Sequence, residues 1–278
     1  MEHTVIDPTP PPPELPELPE GAAPRWPPWY AGIGFLVALI ATLLVVGIVA
    51  AATGATTDDA DPTFTAVATF LQGLIFIGTA VLFASFAGKP RARQFGLRPS
   101  RFWPTVGWAA LGLVSFYLLA ALYTAIVQPD AEQTVAQDLG ADEGTLGRIA
   151  AGFMIICIAP IAEEFFFRGF FYRALRSRYS ILVAALIDGL LFGVIHWDFS
   201  SADSLLIVPP LASLGFMFCL VYERTGTLYP VIALHALNNA IAFGVTIHDP
   251  GISLVLGPLM LAACTLVPRA QRQRPAMA

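Results

Sequence analysis

Charge is the scarcest feature of this chain. Asp, Glu, Lys and Arg make up 13% of its 278 residues, hydrophobic residues make up 56%, and mean hydropathy is +0.68. Roughly a quarter of the residues in a soluble globular domain are charged, so a soluble fold is excluded. Cysteine is almost as scarce. Cys157, Cys219 and Cys264 lie far apart in apolar stretches with no CxxC pairing. They read as small buried hydrophobes rather than disulfide partners or metal ligands. No HExxH, GxSxG-like or GxGD-type motif is present, which argues against the usual zinc, serine and aspartate signatures of hydrolases. The N-terminus lacks the basic lead and short apolar core of a signal peptide.

What is present begins with proline. Residues 1–28 are rich in proline and acid, and read as a solvated, disordered cytoplasmic tail. Hydrophobic stretches then recur at 30–52, 64–87, 102–127, 149–171, 181–196, 204–221, 229–245 and 252–267. Most approach the ~20 residues needed to cross ~30 Å of hydrocarbon. The fifth and seventh are short, but a bilayer offers no water to an irregular backbone, so they too are expected to be helical. The expected fold is an all-α, polytopic transmembrane bundle of about eight spans. Its expected parts are the tail 1–28, a three-span scaffold 29–127, a core 146–268 and a basic cytoplasmic tail 269–278. Neither an internal repeat nor a soluble domain is visible.

Charge placement supports the even count. Arg25, Lys89, Arg91, Arg93, Arg98, Arg101, Arg173, Arg176, Arg178, Arg224, Arg269, Arg272 and Arg274 all fall on one side of an eight-span map. The opposite loops hold Asp58, Asp59, Asp61, Asp130, Glu132, Asp138, Asp142 and Asp249, with Arg148 at a span edge. The positive-inside rule then puts both termini in the cytoplasm of a plasma-membrane protein. The expected partners are the lipid bilayer and a membrane-associated protein or peptide; no nucleic-acid partner is expected.

Apart from Ser, Thr, Tyr and Gln72, the polar residues inside spans are Glu163, Glu164, Arg168, Asp188, His196, His235, Asn238 and Asn239. A charge at the bilayer centre costs at least ~2.5–3.5 kcal/mol, so each needs a reason. Glu164 and Arg168 are four apart and can pair on one helix face. Glu163 points about 100° away and has no such cation, and burial works against its charge, which suits a general base. Asp188 reads as a partner for Arg168 or Arg173, and Asn238 as a bond to a neighbouring helix. His235 and Asn239 lie one turn apart, where two donors can converge on one oxygen; the same i, i+4 spacing also suits metal ligands. Counted from the cytoplasmic ends of their spans, Glu163 lies about 10–12 Å deep, His235 about 9 Å and His196 roughly 20 Å. That leaves His196 out of register with the other two.

Taken together, "EEFFFR" (163–168), "FGVIH" (192–196) and "HALNN" (235–239) resemble the EExxxR, FxxxH and HxxxN motifs of the CPBP intramembrane proteases. This family comprises the type II CAAX prenyl endopeptidases and their bacteriocin-processing and immunity relatives. Pro160 and Gly169 extend the likeness, which covers 160–239. The resemblance implies a helical membrane endopeptidase. Glu163, helped by His196, would activate a water; His235 and Asn239 would stabilise the oxyanion; Glu164 and Arg168 would hold the first motif in place. Glu163, His196 and His235 could alternatively bind Zn²⁺ with an open position for water, but the absence of HExxH and the poor ligand character of Asn favour glutamate chemistry without a metal. Two other classes compete: a noncatalytic immunity or scaffold protein that keeps the motifs, and a transporter using the acids and histidines as a proton relay. The paired, broken half-helices of a transporter are not seen.

Overall fold

Without water, a backbone must bond itself, and long apolar runs do so as helices. The computed structural model, which describes residues 26–54, 61–129, 134–197 and 202–273, is helical throughout, with no strand among the described residues. Its principal helices are α1 (Trp29–Thr53), α2 (Pro62–Phe86), α3 (Phe102–Val127), α4 (Thr145–Arg176), α5 (Ile181–Val194), α6 (Val208–Thr225), α7 (Tyr229–Thr246) and α8 (Gly251–Gln273). Six of them are long and apolar enough to cross a membrane: α1 to α4, α6 with the turn before it, and α8. α5 is a shorter apolar helix, and α7 carries His235, Asn238 and Asn239 in its middle. The chain is an integral membrane protein with eight helices where eight spans are expected. The proline-rich tail up to residue 25, and Asp58, Asp59, Asp130, Glu132 and Arg274, lie outside the described residues.

The hub is α4. It packs against α1, α2, α5, α6, α7 and α8, while α3 lies outside on α6 and α7. This placement explains the run of phenylalanines around the charges. A helix surrounded on all sides needs apolar bulk at every angle, and Phe166, Phe167, Phe170 and Phe171 are all buried. Phe166 stacks on Phe76 of α2 at 4.9 Å, and Phe167 meets Phe192 of α5 edge-on at 5.3 Å. Such ring pairs add about 0.5–1.5 kcal/mol each beyond burial. By contrast, Leu43, Leu44 and Ile48 of α1 and Leu118 and Ile126 of α3 are exposed, as lipid-facing side chains should be.

Two features of α4 differ from the sequence expectation. It runs from Thr145 to Arg176, beyond both ends of the expected 149–171, so Arg148 is helical and pairs with Asp249 at 3.1 Å. It also widens into π-helix over Met154–Ile158 and Phe165–Tyr172, on either side of the paired glutamates. Stretches of this kind recur at functional sites.

α5 and α6 cross very closely. A Cβ at Gly189 would lie 2.6 Å from the Ala212 carbonyl oxygen, and one at Gly215 would lie 3.0 Å from Arg168 Nη2. Only glycine lets these helices and the arginine occupy the same layer.

Candidate active site

The three motifs meet inside the bundle. Glu163 Oε2 on α4 lies 3.9 Å from His196 Nε2, just beyond the end of α5, and 3.8 Å from His235 Nε2 on α7. The expected mismatch in depth is resolved by the length of α4. With its end at Arg176 rather than 171, Glu163 lies thirteen residues from that end, about 20 Å, which matches His196. α7 in turn starts beneath a covering loop. The turn before it is buried, with Thr227 and Leu228 1% and 0% exposed, and the loop before α3 covers it: Leu228 N–H donates to the Gly96 carbonyl and the Thr227 hydroxyl to that of Arg98.

The two glutamates have different surroundings. Glu164 is fully buried; its Oε1 accepts from Arg168 Nη1 at 2.8 Å and from His235 Nδ1 at 2.8 Å. Arg168 is also fully buried. Its Nε lies 3.4 Å from Asp188 Oδ1, its Nη2 donates to the Gly215 carbonyl at 3.0 Å, and its guanidinium lies over the rings of Phe192 at 4.5 Å and Phe218 at 5.2 Å. Asp188 is thus a partner of Arg168, one of the two roles expected for it. Two carboxylates share one guanidinium, and Cys219 Sγ–H donates to Asp188 Oδ1 at 3.1 Å. Among the described residues Glu163 contacts no Lys or Arg; its side chain is 18% exposed, and its buried Oε2 has no hydrogen-bond partner there.

The tautomers follow from the partners. A carbonyl only accepts, so the 2.7 Å contact of His196 Nδ1 with the Phe192 carbonyl puts a proton on Nδ1. The Glu164 carboxylate does the same for His235 Nδ1. Both rings therefore turn Nε2 towards Glu163. Metal-binding histidines are often held this way; among the described residues no group of three or more His, Cys, Asp or Glu has the geometry of a metal site.

Asn239 is anchored to α4 about two turns before Glu163, its Nδ2 donating to the Ile155 carbonyl at 2.9 Å. Its Oδ1 accepts from Asn238 Nδ2 at 3.4 Å, and Asn238 Oδ1 accepts from Tyr117 of α3 at 3.2 Å. Asn238 does bond a neighbouring helix, as expected. Three links have no signal in the local sequence: Glu164 to His235, Cys219 to Asp188, and Tyr117 to the asparagines. Each joins segments far apart in the chain, and no local spacing encodes it.

The family model described as type II CAAX prenyl endopeptidase Rce1-like matches residues 145–241, the stretch from the start of α4 to just past Asn239. The resemblance read from the three motifs holds over that stretch. Among curated proteins, the one named "Putative membrane peptidase YdiL" of Bacillus subtilis is 32% identical over 82 residues, 30% of this chain and 31% of that protein. "Uncharacterized protein YyaK" of the same organism is 29% identical over 136 residues, 47% of this chain and 44% of that protein. The chain thus spans less than half the length of either relative. No solved structure matches the chain.

Proposed function

We propose, on the premise of this Rce1-like core, that the protein is an intramembrane endopeptidase that cuts a membrane-associated protein or peptide, with Glu163 as its general base. The observation that carries the reading is the spacing of Glu163 Oε2 from His196 Nε2 and His235 Nε2, 3.9 and 3.8 Å. These gaps are too long for direct hydrogen bonds and suit one water bridging the three groups. In the reaction, that water's oxygen attacks the peptide carbonyl carbon while its proton passes to Glu163. When the C–N bond breaks, the proton goes to the leaving amine, with His196 next to its path.

His235 and Asn239 serve the oxyanion. With Nδ1–H on Glu164, His235 donates from Nε2 only as an imidazolium, and the Glu164 carboxylate supports that charge as an orienting acid supports a catalytic histidine. Glu164, Arg168 and Asp188 then act as positioning groups. Cleavage of a tagged membrane-peptide library by purified protein tests the reading: wild type should give products and Glu163→Ala none. Absence of cleavage by wild type across the library would favour a noncatalytic membrane protein.

If Asn239 donates to the oxyanion, its effect falls mainly on the transition state. Asn239→Ala is expected to lower kcat by about 10²–10³ with KM little changed; a rise in KM alone would remove it from this role. Metal chemistry makes a different forecast. The glutamate mechanism expects no stoichiometric zinc, and 1,10-phenanthroline inhibiting no better than its nonchelating isomer. One tightly held zinc per chain, lost with either His196→Ala or His235→Ala, would overturn it.

Orientation belongs to the same proposal. Both termini are placed in the cytoplasm of the plasma membrane, because nearly all Lys and Arg lie on that side. Asp138 and Arg93 are both exposed and fall on opposite sides of this map. Asp138→Cys should react with an impermeant thiol reagent added outside the cell and Arg93→Cys should not; the opposite labelling would invert the map.

A further inference from the structure

Away from the catalytic cluster, α3, α7 and α8 enclose a cavity of about 340 Å³. It lies behind α7. Pro230, Ala233, Leu234 and Leu237 face it, on the side of the helix turned away from His235 and Asn239 at 100° per residue. Its volume is within the roughly 300–1,000 Å³ of ligand pockets, and its walls are mostly apolar. Among the described residues no acid lines it, and the one charged lining residue is Arg269, near the end of α8.

The rim is built as a membrane interface. The Arg269 guanidinium lies over the Phe102 ring at 4.7 Å, next to the exposed Arg101 and Trp103 at the start of α3. About a turn and a half further along α3, Arg224 of α6 covers Trp108 at 4.8 Å. None of Arg101, Arg224 and Arg269 forms an ion pair among the described residues. Ser100 and Thr105 hydroxyls, bonded to each other at 2.8 Å, add polar atoms at the same end. The cavity is therefore apolar in depth and cationic at one mouth, which is the charge pattern of an anionic lipid in reverse.

We propose that this cavity is a binding site for an anionic phospholipid, one acyl chain filling the groove between α3, α7 and α8 and the phosphate held by Arg269 with Arg101. A guanidinium offers a planar fork of N–H donors to phosphate, and each Arg near a membrane surface favours an anionic lipid by about 1 kcal/mol, or about fivefold. The proposal is independent of the protease reading, because its test measures lipid and not cleavage.

The test is native mass spectrometry of purified full-length protein, exchanged into micelles carrying phosphatidylglycerol or phosphatidylcholine with identical chains. Wild type should retain one phosphatidylglycerol at least about fivefold better than phosphatidylcholine. Arg269→Gln should abolish the preference. Ala233→Phe, which fills the groove from α7, should lose both lipids, and Val106→Phe does the same from the α3 wall should the first variant fail to fold. Equal retention of the two lipids by wild type, or undiminished phosphatidylglycerol on Arg269→Gln and on the groove-filling variants, would overturn the proposal. So would displacement of the lipid by a lipid-modified peptide with no preference for the anionic headgroup, because the groove would then belong to a substrate chain.

Discussion

Glu163→Gln is expected to lower turnover of peptide cleavage by about 10²–10⁴ with the fold intact. Glutamine keeps the shape and the polar atoms of the side chain but cannot take a proton from water. The fold should survive because Glu163 has no ion pair with Lys or Arg among the described residues; the titratable groups nearest it are the two imidazoles 3.8 and 3.9 Å away. The assay is initial rate on a cleaved peptide, with the thermal unfolding midpoint measured in the same detergent. A Glu163→Gln enzyme with full activity would remove the residue from the chemistry. If Glu164→Gln were in addition inactive yet normally folded, the roles of the two glutamates would have to be exchanged.

Arg168→Met is expected to damage the fold itself, by about 3–5 kcal/mol, because it leaves buried charge uncompensated. Glu164 and Asp188 are both fully buried, and each has an oxygen with no hydrogen-bond partner among the described residues, so Arg168 is their common counter-charge. The expected result is a large drop in unfolding midpoint and in the yield of monodisperse protein. Adding Glu164→Gln and Asp188→Asn to Arg168→Met should restore much of the stability, since removing a whole buried charge group costs far less than breaking it. An Arg168→Met protein that unfolds at the wild-type midpoint would show that the guanidinium is not what holds these carboxylates.

These two expectations separate the adjacent Glu163 and Glu164, and the separation is legible in the sequence. Glu164 has a cation four residues on and Glu163 has none, and helix geometry turns that spacing into an ion pair on one face and a free acid on another. The spans were legible for an equally plain reason. Hydrocarbon forces long apolar runs into helices, so 102–127 is recovered to the residue and α1, α2, α5, α6 and α7 to within about four residues at each end, whereas α8 runs on to Gln273, past the expected 267 and into the expected tail. The full length of α4 was not legible. Its last turns carry Arg173 and Arg176, which look like loop residues, but Arg173 bonds the Tyr222 hydroxyl at 2.7 Å and Arg176 pairs with Glu223 at 2.8 Å. The π-helical stretches escape a reading based on a period of 3.6. The contact of His235 with Glu164 joins residues 71 apart, and depends on a turn before α7 buried by a loop from the other half of the chain. Local pattern thus specified which residues are polar inside the membrane; tertiary packing decided which of their atoms meet.

The central claim is that Glu163 activates a water that attacks the peptide bond directly. The measurement that bears on it most directly is a single turnover of a cleaved membrane peptide in heavy-oxygen water, with both the product and the Glu163-containing peptide of the enzyme examined by mass spectrometry. The account predicts one heavy oxygen in the new C-terminal carboxylate of the product, an unlabelled Glu163, and product from Glu163→Gln forming about 10²–10⁴ times more slowly. Label appearing on Glu163 with an unlabelled first product would mean that the carboxylate itself attacks the substrate, and product formed equally well by Glu163→Gln would mean that the base lies elsewhere; either result contradicts the account.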